Sequence, residues 1–172
     1  MSMTTLNELF DHELKDIYYA EHQLVEALQT LADESSDGEI KKAFQSHRKE
    51  TQGHIKRLDQ VFKVLGEKPA SEKCPGIEGL LKEKKAFAQE KPSDEILDFY
   101  NLGAAQKTER YEITAYENLI EMADALGHSE AVTQLEANLE EEEAALQTLK
   151  GLADGFDKDA LTAEAEEEEK SE

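Results

Sequence analysis

Four long seams run through this chain, in which apolar residues recur at alternating steps of three and four. The first is Phe10, Leu14, Ile17, Glu21, Leu24, Leu28 and Leu31. The second is Ile40, Phe44, His47, Thr51, His54, Leu58, Val61 and Leu65. The third is Leu102, Ala105, Glu109, Glu112, Tyr116, Leu119, Ala123 and Leu126, and the fourth Val132, Leu135, Leu139, Glu142, Leu146 and Leu149. Residues three and four apart share one face of an α-helix, so each seam is the buried stripe of an amphipathic helix. No segment shows the alternation expected of a strand. The chain therefore reads as all-α.

Punctuation sets the boundaries. Thr5 and Glu8 form a capping box, and Ser36 to Glu39 reads as a second one. Gly66 and Gly127 suit helix C-termini, because only glycine takes the left-handed conformation cheaply. Ser129 reads as the cap of the last helix, which is expected to end at Gly151. The spacing predicts helices near 5–33, 37–65, 93–126 and 129–151. A short helix is expected inside 76–90, where Ile77, Leu80, Leu81 and Phe87 share a face. Short links make antiparallel hairpins of the first and last helix pairs. The long middle link can cross the whole bundle, and two hairpins joined by one long crossover is the ferritin-like arrangement of a four-helix bundle.

Charge bounds the partners. Asp and Glu number 40 against 19 Lys and Arg, for a formal net charge of −21. Such a chain repels nucleic acid and anionic membrane surfaces, so neither is expected as a partner. No run is long and apolar enough to span a bilayer, and no secretory signal opens the chain. One cysteine, Cys74, excludes an internal disulfide framework and fits a reducing, cytoplasmic setting. Residues 1–153 form the bundle in this reading. Residues 154–172 carry nine acids and two lysines, and from Ala163 onward no apolar side chain exceeds Ala. That stretch reads as a disordered, solvating tail. Leu97, Phe99 and Tyr100 are a candidate face for a homodimer.

The polar residues interrupting the seams carry the functional signal. Glu21 lies 12 residues before Asp33, and Glu50 lies 13 after Asp37, on the face between His47 and His54. Glu109 and Glu112 lie 17 and 14 before Leu126, and Glu142 lies 13 after Ser129. At about 1.5 Å per residue these groups reach nearly one level in the bundle. Four helices would then aim five carboxylates and one or two imidazoles at one point. Bare buried carboxylates cost several kcal/mol each, and no Lys or Arg lies on the seams at that level. A pair of metal ions would neutralise them, and oxygen-rich ligation with imidazole suits iron or manganese better than structural zinc. Single residues admit plainer readings. Any member of the run Glu140 to Glu143 would be Glu if turned inward, and a solitary His54 would be an ordinary hydrogen-bonded core histidine.

Several strings together resemble one family. These are Leu9-Phe10, Ile17-Tyr18-Tyr19-Ala20-Glu21-His22-Gln23 and His47-Arg48-Lys49-Glu50-Thr51, followed by Gly76-Ile77-Glu78-Gly79-Leu80 and Glu109-Arg110-Tyr111-Glu112-Ile113-Thr114-Ala115-Tyr116. They are similar to the bacterial YciE/YciF stress-protein family of ferritin-like proteins, over about residues 4–153. The resemblance implies a ferritin-like bundle with a dinuclear metal centre, a dimer, a cytoplasmic setting and a link to stress. It implies Glu21 as the first-helix ligand. Glu50 with His54 would stand where rubrerythrin and manganese catalase have Glu-x-x-His. Glu109 and Glu112 would be the paired glutamates of the third helix, and Glu142 the glutamate of the fourth. Two departures stand out. Glu50 and His54 are four apart rather than three, so His47 competes with His54. Ala145 and Leu146 stand where a second histidine would follow Glu142, which leaves one metal with an all-oxygen shell.

The expected activity is that of a di-iron or di-manganese oxidoreductase handling peroxide or O2 as its small ligand. Glu50 and either Glu112 or Glu142 would bridge, and Glu21, Glu109 and His54 would be terminal ligands. Tyr18, Tyr19, Tyr111 and Tyr116 could pass electrons or bind peroxide, though packing is the simpler role for each. A non-catalytic metal-binding or structural stress protein is the alternative.

Overall fold

The computed structural model describes residues 3–162. The helices are α1 (Leu6–Glu34), α2 (Gly38–Val64), α3 (Pro75–Ala88), α4 (Asp94–Ala125), α5 (Ser129–Asp154) and α6 (Lys158–Thr162). Among the described residues there is no strand. The expected boundaries hold to within about two residues, except that α5 continues past Gly151.

The ends of the helices follow the sequence with two corrections. At α1 the capping box forms: Glu8 N donates to Thr5 Oγ1 at 3.2 Å, and Thr5 N to Glu8 Oε2 at 2.9 Å. At α2 the cap is Asp37 rather than Ser36. Its Oδ1 accepts from Glu39 N at 2.7 Å and Ile40 N at 3.1 Å. Ser36 turns instead to the buried Asp98 of α4, whose carboxylate also accepts from Asp37 N at 3.0 Å. At α5, Ser129 is the first helical residue, His128 occupies the cap position, and no side chain caps the helix. Gly66 and Gly127 terminate α2 and α4 at φ of +74° and +76°.

Topology follows from which ends meet. The start of α4 bonds the α1–α2 turn through Asp98, and His128 at the start of α5 lies against Phe10 at the start of α1, ring centroids 5.9 Å apart. So α4 runs antiparallel to α1 and parallel to α2, and the crossover climbs the length of the bundle. Around the bundle the order is α1, α2, α5, α4. The crossover helix α3 lies on α1 and α4, with Ile77 buried and Phe87 stacked on Tyr100 at 3.6 Å between centroids. Gly76 is required there: a Cβ would come within 2.6 Å of the Tyr111 ring.

The apolar core is split. One cluster, with Phe10, Leu14, Leu58, Phe62, Leu119 and Leu135, fills the end near the α1 N-terminus. Another, with Leu28, Leu31, Phe44, Leu102 and Leu149, fills the opposite end. Between them lies a polar layer.

The α5 seam differs from the expected one. Ala131, Asn138 and Ala145 are buried, while Val132, Leu139 and Leu146 are only half-buried on the flank. Large side chains drew the expected seam one residue too far round. The segment assigned to the tail begins with the end of α5, and Phe156 packs on Phe99 at 5.3 Å before α6. The remainder of the expected tail, residues 163–172, lies outside the described residues. Phe99 and Tyr100, expected on a dimer face, find aromatic partners within the chain.

Candidate metal centre

The polar layer gathers six of the seven expected residues. Glu21, His47, His54, Glu109, Glu112 and Glu142 are all buried. They come from α1, α2, α4 and α5, which confirms the common level counted from the turns. Five of them form two triads that share one member: Glu21, His54 and Glu142, and His47, Glu109 and Glu142. In the first, His54 Nδ1 lies 3.3 Å from Glu21 Oε1 and 3.1 Å from Glu142 Oε1. In the second, His47 Nε2 lies 3.1 Å from Glu109 Oε1 and 3.5 Å from Glu142 Oε2. Glu142 thus turns one oxygen to each triad. Glu112 stands beside both, close enough to Glu142, Glu21 and Glu109 to feel their charges.

Glu50 is the exception. Its carboxylate is 42% exposed and belongs to neither triad. At 3.6 residues per turn it sits roughly 70° off the centre of the α2 seam, where Thr51 takes the inward place. Glu50 Oε2 meets His47 Nδ1 at 3.3 Å. His54 has the same arrangement, with Nε2 2.9 Å from Glu141 Oε2. Glu141 is in turn gripped by Arg57 through two bonds of 2.8 and 2.6 Å. A carboxylate outside each imidazole is placed to accept its outer N–H, which with a metal bound would leave the inner nitrogen as the ligand. The two histidines do not compete, and the expected all-oxygen shell is corrected: each triad has one imidazole. We expect Glu50→Ala to weaken metal binding about 10- to 100-fold, the usual effect of losing such an outer partner, without abolishing it. Titration of the chelated variant with Mn(II) checks this.

Sequence reasoning missed Glu141 and Asn138. Asn138 Nδ2 donates to the Tyr116 hydroxyl at 3.0 Å and to His54 O at 3.3 Å, and its Oδ1 accepts from Arg57 at 2.9 Å. The Tyr116 hydroxyl donates to Glu21 Oε1. This fixes Glu21 through the same oxygen that faces His54, and leaves its Oε2 buried with no hydrogen-bond partner. The polar break at Asn138, four residues before Glu142, was the available signal. The other tyrosines serve elsewhere: Tyr18 donates to Asp59, Tyr19 to Glu78, and Tyr111 meets Cys74 and Asp16.

The donor set fits metal on two physical grounds. Glu21 Oε2, Glu109 Oε2, Glu112 Oε1, both oxygens of Glu142 and His54 Nδ1 are buried with no aligned hydrogen-bond partner. Such orphaned groups are rare in native proteins and call for an ion or water. The electrostatics agree. Burial pushes Glu142 up to about 7, and Glu109 adds to this against the pull of His54 and His47. Burial, then Glu142, Glu21 and Glu109, hold Glu112 well above the ordinary carboxylate range. Burial likewise raises Glu21. Burial would lower both imidazoles, but the facing carboxylates carry His54 up to about 10 and His47 well above its ordinary value. Two groups of these side chains, Glu21 with His54 and Glu142, and His47 with Glu109 and Glu142, bring ligand atoms close enough together to hold a metal ion.

A cavity of about 480 Å³ leads to this layer. It lies between α1, α3 and α4, and its inner end is lined by His47, Glu109 and Glu112.

Comparison with known proteins agrees with the fold. A family model described as a domain of unknown function, DUF892, matches residues 5–164. Protein YciF of Escherichia coli (strain K12) is 39% identical over 145 residues, covering 84% of this chain and 87% of that protein. The crystal structure of the E. coli stress protein YciF superposes with a TM-score of 0.84, covering 88% of this chain and 96% of that one. YcfI from Rhodopseudomonas palustris, whose description offers a structural role, is 42% identical with a TM-score of 0.85, covering 87% of this chain and 95% of that one.

Proposed function

This chain belongs to the DUF892 family, with the stress protein YciF among its relatives, and from that premise we propose that it is a ferritin-like dinuclear metal protein acting as an oxidoreductase on peroxide or O2. The observation that carries the reading is Glu142, a buried carboxylate offering one oxygen to each of two triads. Iron is the first candidate and manganese the second. Glu21 and His54 would hold one ion, Glu109 and His47 the other, with Glu142 between them and Glu112 beside both. Bridged ions supply two-electron chemistry toward peroxide or O2.

The chain's own residues prepare the site. Glu141 and Glu50 keep each imidazole turned inward. Tyr116 is a standing proton donor: burial and the nearby Glu21 and Glu142 raise its hydroxyl well above the ordinary value. The apolar clusters above and below lower the local dielectric at the layer, which strengthens every charge interaction between them.

Anaerobic loading with Fe(II) or Mn(II), followed by metal analysis and peroxide consumption, tests the reading. About two ions per chain are expected, with peroxide loss that chelation abolishes. Full loading without turnover would leave the second reading, a non-catalytic metal-binding or structural stress protein. The structural role offered for the R. palustris relative favours that alternative. No described helix is long and apolar enough to cross a membrane, and the reading places the protein in the cytoplasm, away from nucleic acid. It also includes a homodimer. Sedimentation showing only monomer at micromolar concentration would remove the dimer.

A further inference from the structure

The two halves of the polar layer are supported unequally. Arg57 of α2 hydrogen-bonds to no member of either triad, yet two chains of bonds lead from it into one of them. In the first chain its guanidinium donates to both oxygens of Glu141 at 2.8 and 2.6 Å, and Glu141 Oε2 lies 2.9 Å from His54 Nε2. In the second it donates to Asn138 Oδ1 at 2.9 Å. Asn138 Nδ2 donates onward to the Tyr116 hydroxyl and the His54 carbonyl, and Tyr116 donates to Glu21. One cation thus holds His54 through one intermediate and Glu21 through two. A guanidinium suits this task, because its rigid fork of donors can span separate acceptors.

The other half has no such anchor. His47 has Glu50 outside it at 3.3 Å, and Glu50 is 42% exposed with no further partner among the described residues. Glu109 turns one oxygen to His47, and its other oxygen has no hydrogen-bond partner. Access differs in the same sense. His47 and Glu109 line the cleft between α1, α3 and α4, and His47 and Glu50 line a smaller one between α2 and α5. Glu21 and His54 line neither, and both are fully buried. Charge alone would favour the His47 half, because Glu141 shares its carboxylate with Arg57 and Glu50 keeps its own. Water screens most of that advantage at an exposed carboxylate. Ligands already held in place lose less freedom when an ion binds, so orientation decides.

We propose that Arg57 is the positioning residue of the Glu21–His54 half, so that an ion binds there first and most tightly, while the unanchored His47–Glu109 half, bordered by the two clefts, holds the more readily exchanged ion. That role rests on the metal-binding reading above and needs no turnover.

Mn(II) binding to the chelated full chain, followed by the EPR signal of the free ion, tests it in two backgrounds. Glu109→Ala leaves the Glu21–His54 half, and Glu21→Ala leaves the other. About one ion per chain is expected in each, held at least about tenfold more tightly in the Glu109→Ala background. Adding Arg57→Ala should weaken that ion at least about tenfold, and should change the ion of the Glu21→Ala background by less than about threefold. Arg57→Lys, the milder variant, keeps the charge but not the fork, and should not restore the affinity. A merely structural role would weaken both halves alike. Equal affinities in the two backgrounds overturn the proposal, as does an Arg57 effect that is absent, equal in both halves or fully restored by lysine. An unsubstituted chain that binds no Mn(II) loses the metal reading and this proposal together. One that binds about two ions, neither of them sensitive to Arg57, loses the proposal alone.

Discussion

Glu142→Ala should reduce bound metal from about two ions per chain to well under one, because each triad loses a ligand at a single stroke. Glu21→Ala touches only the triad with His54 and should leave about one ion. The difference in stoichiometry separates a shared carboxylate from two independent sites. The stability change should be large as well. Two ions, each present at a thousand times its dissociation constant, would add about 4 kcal/mol apiece. For a chain of this size that is a rise in melting temperature of roughly 15 °C or more. Glu142→Ala should show almost none of that rise on loading. Differential scanning calorimetry with and without chelator measures it. A variant that still gains the full increment would contradict the arrangement.

The chelated protein should become less stable as pH rises, by more than about 5 °C between pH 6 and 9. The sign follows from the direction of each shift. Glu142 moves up from its ordinary value of 4.5 to about 7, and His54 from 6.5 to about 10. Glu21, Glu112 and His47 move in the same direction. A group with a raised folded-state value stabilises fully below its unfolded value, and that contribution is lost as pH climbs through the folded one. The loss therefore begins near pH 4.5 with the carboxylates and continues toward 10 with His54. Glu141 is lowered by its bonds to Arg57, so its contribution fails only in acid and leaves this window untouched. Metal works against the slope. Ligands must shed protons to bind it, so the gap between loaded and chelated melting temperatures should widen with pH. Glu112→Gln, which removes an acid whose ionisation burial opposes without opening a hole, should stabilise the chelated protein at pH 8 by on the order of 2 kcal/mol. A chelated melting temperature that stays flat from pH 6 to 9 would show these groups to be solvated.

Much of this was legible in the sequence because helices convert spacing into direction. The seams of α1 and α2 are buried at every residue read from the chain except Leu65. Counting from the turns placed Glu21, Glu109, Glu112 and Glu142 on one level, since rise per residue is fixed. Periodicity gives the axial coordinate well and the rotation about the axis poorly. Glu50 was lost for that reason: Thr51 looks no more like a core residue than Glu50 does, and a turn of roughly 70° decides between ligand and outer partner. The α5 seam failed similarly, because Ala131, Asn138 and Ala145 carry weaker hydrophobic signals than the leucines beside them. Tertiary partners such as Asp98 under the α1–α2 turn, or Arg57 gripping Glu141, join residues 61 or more apart and leave no local trace.

The central claim is that this buried layer holds two ions around Glu142. Anomalous scattering from crystals loaded anaerobically with Fe(II) or Mn(II), collected at the matching absorption edge, tests it most directly. The account predicts two peaks about 3.5–4 Å apart. One should be flanked by Glu21 and His54 and the other by Glu109 and His47, with an oxygen of Glu142 on each. Fully loaded crystals with no peak in this layer, or with peaks only at surface carboxylates, would contradict it.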